Sequence, residues 1–148
     1  MELYSVISNC VPVRRRLATS AVATTSFIAI IDDEADVRRA TSSLVRSLGF
    51  TAKSFVSAEE FLADEDNLSA SCIVSDVNMA GMSGIDLYLR LQEEVSRRVP
   101  FVFITAFAEK QVREHIGEHV RVLQKPFHAD ALAACLDAAL QSKGGGSY

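Results

Sequence analysis

An α/β fold, a doubly wound parallel sheet with helices on both faces, is what the 148-residue sequence predicts, and two observations predict it. Five short apolar runs alternate with five stretches of helical periodicity, the order that buries strands between helices. Each apolar run also ends in polar residues suited to chemistry, and right-handed crossovers carry all of those ends to one edge of a parallel sheet.

The elements follow in order. Phe27-Ile-Ala-Ile-Ile31 reads as a buried first strand and is followed at once by Asp32, Asp33 and Glu34. Val37, Ala40, Thr41, Leu44, Val45 and Leu48 mark one face of a helix that Gly49 is suited to end. Thr51–Phe55 makes a second strand. Ser57 with Glu60 three residues on reads as a capping box, opening a short helix through Phe61 and Leu62. After a polar stretch from Asp64 to Ser71, Cys72-Ile-Val74 forms the third strand, with Asp76 at its end and Asn78, Gly81, Ser83 and Gly84 in the loop beyond. Ile85–Val95 is helical in pattern and is broken before Pro100. Phe101–Ile104 is the fourth strand and ends in Thr105. Glu109–Glu118 reads as a short polar helix and Val120–Leu123 as a fifth strand, weakened by Arg121. A last helix spans Ala129–Gln141, with Leu132, Ala133, Leu136, Ala139 and Leu140 inward, and Gly144, Gly145 and Gly146 are expected to end regular structure.

This gives one folded domain over residues 27–142, a flexible extension over 1–26 containing the basic triplet Arg14–Arg16, and a flexible tail over 143–148. A formal charge of −4 offers no broad attraction to nucleic acid, and no apolar run is long enough for a membrane span. Cys10, Cys72 and Cys135 are odd in number and lack metal-ligand spacing, which fits free thiols in a reducing, cytoplasmic setting. His115, His119 and His128 read as solvated surface residues.

The strand ends then deliver Asp32 and Asp33, Asp76, Thr105 and Lys125 to one place. Taken singly each has a plain structural reading: acids favour a helix start, a threonine ends a strand, and a lysine precedes a proline in solvent. Taken together they form a site. Three clustered carboxylates repel unless a cation joins them, and hard oxygen ligands suit Mg²⁺. The backbone carbonyl of Asn78 adds another oxygen. Lys125 and the Thr105 hydroxyl suit an anion beside the metal, the arrangement that stabilises a phosphoryl group in transfer.

The motifs IIDDE (Ile30–Glu34), SDVNMAGMSG (Ser75–Gly84), FITA (Phe103–Ala106) and LQKPF (Leu123–Phe127), in this order, resemble the receiver domain of two-component response regulators, and SAEEFL (Ser57–Leu62) resembles its FixJ-type group. The resemblance implies a flavodoxin-like sheet of order 2-1-3-4-5, an order that general accounts of the fold already attach to a chemotaxis receiver. It implies that Asp76 is the phosphoacceptor, served by a histidine kinase or histidine phosphotransfer protein. It implies Mg²⁺ on Asp33 and Asp76, with Asp32 acting through water and Asn78 through its carbonyl. Lys125 would contact the phosphoryl oxygens, Thr105 would report the phosphoryl group, and the Lys125–Pro126 bond would be cis. Such a domain promotes its own phosphorylation and dephosphorylation and is not a turnover enzyme.

Three positions depart from the family pattern. Ala80 stands where a proline is usual. Val122 stands where an aromatic switch residue is usual, so the familiar aromatic switch is not expected to operate. The stretch between Thr105 and Lys125 is slightly short, and the fourth helix with strand five and helix five is the usual output and homodimer face. Phe107 is expected to limit water's approach to the phosphoryl group. With no DNA-binding domain expected after Gln141, output is expected through protein contacts of a stand-alone or excised receiver. The alternative is an interaction module that keeps the fold without using phosphate. An aspartyl phosphatase, which commonly needs a second acid where Asn78 stands, and a flavin-binding protein fit less well.

Overall fold

The computed structural model describes residues 26–94, 98–106, 109–117 and 120–145. Arg14–Arg16, Cys10, Phe107 and His119 lie outside the described residues. Five strands and five helices alternate: β1 (Phe27–Ile31), α1 (Ala35–Ser47), β2 (Ala52–Phe55), α2 (Ala58–Ala63), β3 (Ala70–Asp76), α3 (Gly84–Gln92), β4 (Phe101–Thr105), α4 (Glu109–Ile116), β5 (Arg121–Gln124) and α5 (Ala129–Gly145). The strands form one parallel sheet in the order β2-β1-β3-β4-β5.

The central strands are near-continuous apolar runs because both of their faces are covered. One face carries Ala29, Ile31, Ile73 and Phe103 against α2, α3 and α4, through Phe61, Leu87, Leu91 and Val112. The other carries Ile28, Ile30, Val74, Val102 and Ile104 against α1 and α5, through Val45, Leu132, Leu136 and Ala139. The first face is aromatic. Tyr88, Phe101 and Phe103 pack with centroids 4.7–5.7 Å apart, and Phe55 meets Phe61 edge-on at 5.3 Å. The second is aliphatic.

Local chemistry sets the helix ends. Gly49 takes φ +98° and its N–H donates to the Arg46 carbonyl at 3.0 Å, closing α1. Ser57 caps α2 by accepting from Glu60 N at 3.0 Å. The return bond differs from the expected capping box, since Glu60 Oε1 accepts from Val56 N at 2.7 Å. A reciprocal box does open α3, between Ser83 and Asp86.

Several boundaries differ from the sequence reading. A 3₁₀ turn at Asn67–Ser69 occupies the polar stretch before β3, which itself begins at Ala70. On α1 the buried residues are Thr41, Ser42 and Val45, while Leu48 is 37% exposed at the helix end. β5 lies one residue later than expected, and α4 stops at Ile116. α5 continues through Gly145 where the glycine run was expected to end it. Glycine costs about 1 kcal/mol relative to alanine in a helix, a penalty that the end of an already propagated helix absorbs.

Candidate functional site

The site lies where β1, β3, β4 and β5 end. Parallel register aligns these ends: Ile31 stands beside Ser75, Asp76 beside Ile104, and Thr105 beside Gln124. The residue that finishes or follows each strand therefore projects over the same edge.

Asp32, Asp33 and Asp76 each offer a carboxylate oxygen, and these atoms lie within 4.8 Å of one another. Asp32 and Asp76 are buried and Asp33 is exposed. Lys125 reaches across from the end of β5. Its Nζ stands 3.3 Å from Asp32 Oδ2, 3.3 Å from Asp76 Oδ2 and 3.2 Å from Glu34 Oε1. The peptide bond from Lys125 to Pro126 is cis, as the resemblance implies. The Lys125 backbone is fixed by its N–H, which donates to the Thr105 carbonyl at 2.8 Å.

Burial dominates the electrostatics. It pushes the Asp32 carboxyl above the usual range, outweighing the hydrogen bond from Glu34 N and the charge of Lys125. It pushes Asp76 up as well, and the negative charge of Asp32 adds to the push; Lys125 and the Asn78 N–H offset this only in part. Burial disfavours the charged form of Lys125, yet Asp32 and Asp76 outweigh it, so the ammonium is held above its ordinary value. The two buried acids share a single ammonium, Lys125, which is also paired with Glu34, so the cluster is short of positive charge. That deficit, together with an all-oxygen donor set, fits a hard divalent cation such as Mg²⁺.

Backbone and side-chain bonds hold the acids in place. Asp32 Oδ1 accepts from Glu34 N at 2.9 Å, and the Arg38 guanidinium donates to the Asp32 carbonyl at 2.7 Å. Asn78 N donates to Asp76 Oδ1 at 3.4 Å, and the Asn78 side chain is exposed. The buried Ser75 hydroxyl donates to the Asp76 carbonyl at 2.9 Å. Gly84 packs so closely under β3 that a Cβ there would collide with the Asp76 carbonyl oxygen, and Gly84 N donates to the Val77 carbonyl at 2.9 Å. Thr105 is fully buried at the end of β4.

Every predicted site residue is therefore at the shared edge. Sequence reasoning left out Glu34 as a Lys125 partner, and the contacts that Ala80 and Glu59 make beside the site. Ala80 N donates to Asp33 Oδ2 at 3.2 Å, and Glu59 Oε2 accepts from Met82 N at 2.9 Å. Contacts between residues so far apart in the chain leave no local pattern to read. A cleft of about 640 Å³ opens beside Lys125 and Glu34, walled by Val37, Leu44, Pro126 and Phe127. Val122, at the expected switch position, is half-buried and packs against the apolar layer on the α4 side of the sheet.

A model of the response regulator receiver domain matches residues 28–137. The response regulator protein TmoT of Ectopseudomonas mendocina is 36% identical over 118 residues, covering 78% of this chain and 53% of that protein. The transcriptional regulatory protein FixJ of Bradyrhizobium diazoefficiens is 33% identical over 120 residues, covering 80% of this chain and 58% of that protein. The chain thus spans about half the length of these curated relatives. Among solved structures, full-length FixJ superposes with a TM-score of 0.70 at 34% identity, over 80% of this chain and 60% of that one. The Vibrio cholerae chemotaxis protein CheY4 shares the fold, with a TM-score of 0.68 at 23% identity over 79% of this chain and 100% of that one. With sheet order, acidic edge and family match in agreement, the chain belongs to the response regulator receiver domain family of two-component systems.

Proposed function

We propose that Asp76 accepts a phosphoryl group from a phosphohistidine on a histidine kinase or phosphotransfer protein, with Asp32, Asp33 and the Asn78 carbonyl completing a Mg²⁺ site. The observation that carries this reading is the placement of Asp76. It is a buried carboxylate with two further aspartates within 4.8 Å and the Lys125 ammonium at 3.3 Å. An Asp76 carboxylate oxygen attacks phosphorus, the P–O bond forms as the P–N bond breaks, and the electron pair returns to the imidazole nitrogen. Lys125 neutralises the phosphoryl oxygens and Thr105 responds to them. Bound Mg²⁺ supplies the positive charge that the attacking carboxylate and the transferring group share. The apolar cleft beside Lys125 gives the donor protein a surface to seat on, because Lys125 and Glu34 belong to both cleft and site.

In this reading the protein is a signalling component of the cytoplasm, modified by transfer and self-hydrolysis, and not a turnover enzyme. Among the described residues no helix is long and apolar enough to cross a membrane. Its output passes to a protein partner, with the face of α4, β5 and α5 as the candidate homodimer or target surface.

Intact mass after incubation with acetyl phosphate tests the proposal. One added phosphoryl group is expected, present with Mg²⁺, absent with EDTA, and absent in Asp76→Ala. No adduct from acetyl phosphate or from a panel of phosphorylated kinases would favour the phosphate-independent interaction module.

A further inference from the structure

Asp33 differs from the other two acids in having little packing to orient it. It is exposed, and its Oδ2 accepts a hydrogen bond from the backbone N–H of Ala80, 3.2 Å away and 47 residues on. The loop that presents this donor is itself pinned. Glu59, on α2, accepts from Met82 N through Oε2 at 2.9 Å. Gly81, between the two donors, takes φ +77°, and a Cβ added there would stand 2.7 Å from the same Glu59 oxygen. Glycine readily takes the positive φ that this turn needs.

We infer that the Ala80 amide is a positioning group for the Asp33 carboxylate, and that Glu59 holds the loop so that the amide is aimed. The inference rests on the Mg²⁺ assignment of Asp33 proposed above. A carboxylate has two oxygens, so an N–H on Oδ2 leaves the other free for a cation. An exposed aspartate otherwise samples several rotamers and loses that freedom when it binds. The Ala80 bond fixes the carboxylate beforehand, the role that hydrogen bonds to metal-ligating carboxylates commonly have. A proline at this position has no N–H to give. The replacement of the usual proline by Ala80 therefore removes a rigid ring and adds a donor directed at the site.

Calorimetric Mg²⁺ titration of the whole chain tests this, with Ala80→Pro, Ala80→Ser, Glu59→Ala and Glu59→Gln beside the wild type. Ala80→Pro is expected to bind Mg²⁺ about tenfold more weakly. Ala80→Ser, which keeps the N–H, is expected to match the wild type. Glu59→Ala is expected to lose less than Ala80→Pro, and Glu59→Gln, which keeps an acceptor oxygen, to recover most of that loss. Hydrogen exchange at the Ala80 amide gives a readout without metal and without a proline. Exchange is expected to be slow in the wild type and faster in Asp33→Ala. Wild-type affinity in Ala80→Pro, or Ala80 exchange unchanged by Asp33→Ala, would overturn the inference alone. A wild type that binds no Mg²⁺ would overturn the metal assignment and the inference with it.

Discussion

The two halves of the functional edge are built on opposite principles. Where β1 and β3 end, charge is concentrated: two buried aspartates, a third beside them, and one lysine shared among three carboxylates. Where β4 and β5 end, the structure is apolar and small apart from Lys125, which follows β5 and reaches across to those acids. Thr105 is fully buried, Val122 is half-buried, and Val112 and Val120 fill the layer beneath α4. The first half holds like charges close together in a buried frame, which under the proposed function a cation and a phosphoryl group would join. The second lacks an aromatic side chain at Val122 that could trade places with Thr105. Under the proposed function the chemistry of the acids and the readout near Val122 can therefore diverge within one domain, since they lie on different strands.

The sharpest way to break this division is Lys125→Met. Lys125 is held above its ordinary value, so its side of the ion pairs is whole at neutral pH and is lost only as pH rises through the raised folded value, while the acids must stay ionised for the pairs to count. Removing it leaves Asp32 and Asp76 buried without their cation. A loss of about 3 kcal/mol is expected in urea unfolding at pH 7 with EDTA. The loss should shrink as falling pH protonates the two acids, and a loss that did not depend on pH would point to packing of the lysine stem instead.

A smaller effect of opposite sign is expected for Asp76→Asn. Burial first, then Asp32, raises the folded-state value of Asp76 above that of the unfolded chain. The folded protein therefore keeps this proton longer. The stability associated with it is present below the ordinary aspartate range and is lost as pH rises through the folded value. At pH 7 the ionised carboxylate is a burden, so in EDTA the melting temperature of Asp76→Asn should exceed that of the wild type by a few degrees. The difference should vanish below about pH 4. Thermal scans across pH measure this directly, and an unstable Asp76→Asn would mean that Lys125 overcompensates the burial.

The smallest effect is expected on the other half. Val122→Phe places at position 122 the ring that the pattern usually has, on a side chain packed in the α4-side apolar layer. The yield of aspartyl phosphate should stay within about twofold of the wild type, as for a substitution that touches no catalytic group. Amide resonances of α4 and β5 should change more on phosphorylation in Val122→Phe than in the wild type. A large fall in yield would join the two halves again.

The sequence reading succeeded where one short stretch carries its own signal. β1 was read residue for residue because five apolar residues are followed directly by acids. Asp76 and Lys125 were legible because each ends an apolar run, and the sheet topology then brings them together. β5 was misplaced by one residue because Arg121 breaks its apolar pattern, though the strand pairs from that position onward. The Ser57 cap was found, but its return bond was assigned to the wrong N–H, since a glutamate side chain reaches Val56 as easily as its neighbour. The contacts of Glu59 and Ala80 could not be found. Their roles depend on how α2 and the β1 end sit against one loop, and no periodicity records that.

Gly84 carries a consequence beyond its fit. With no room for a side chain between it and the Asp76 carbonyl, and with its own N–H on Val77, the first turn of α3 is keyed to the end of β3 like a gear tooth. α3 and the end of β3 must therefore travel as one piece. A bulkier, more highly charged group on Asp76 cannot relieve its crowding by sliding that helix away. The displacement has to leave by the opposite side, past Thr105 and Lys125. Under the proposed phosphoryl transfer to Asp76, the displacement is expected on the Thr105 side of the edge and not on the α3 side.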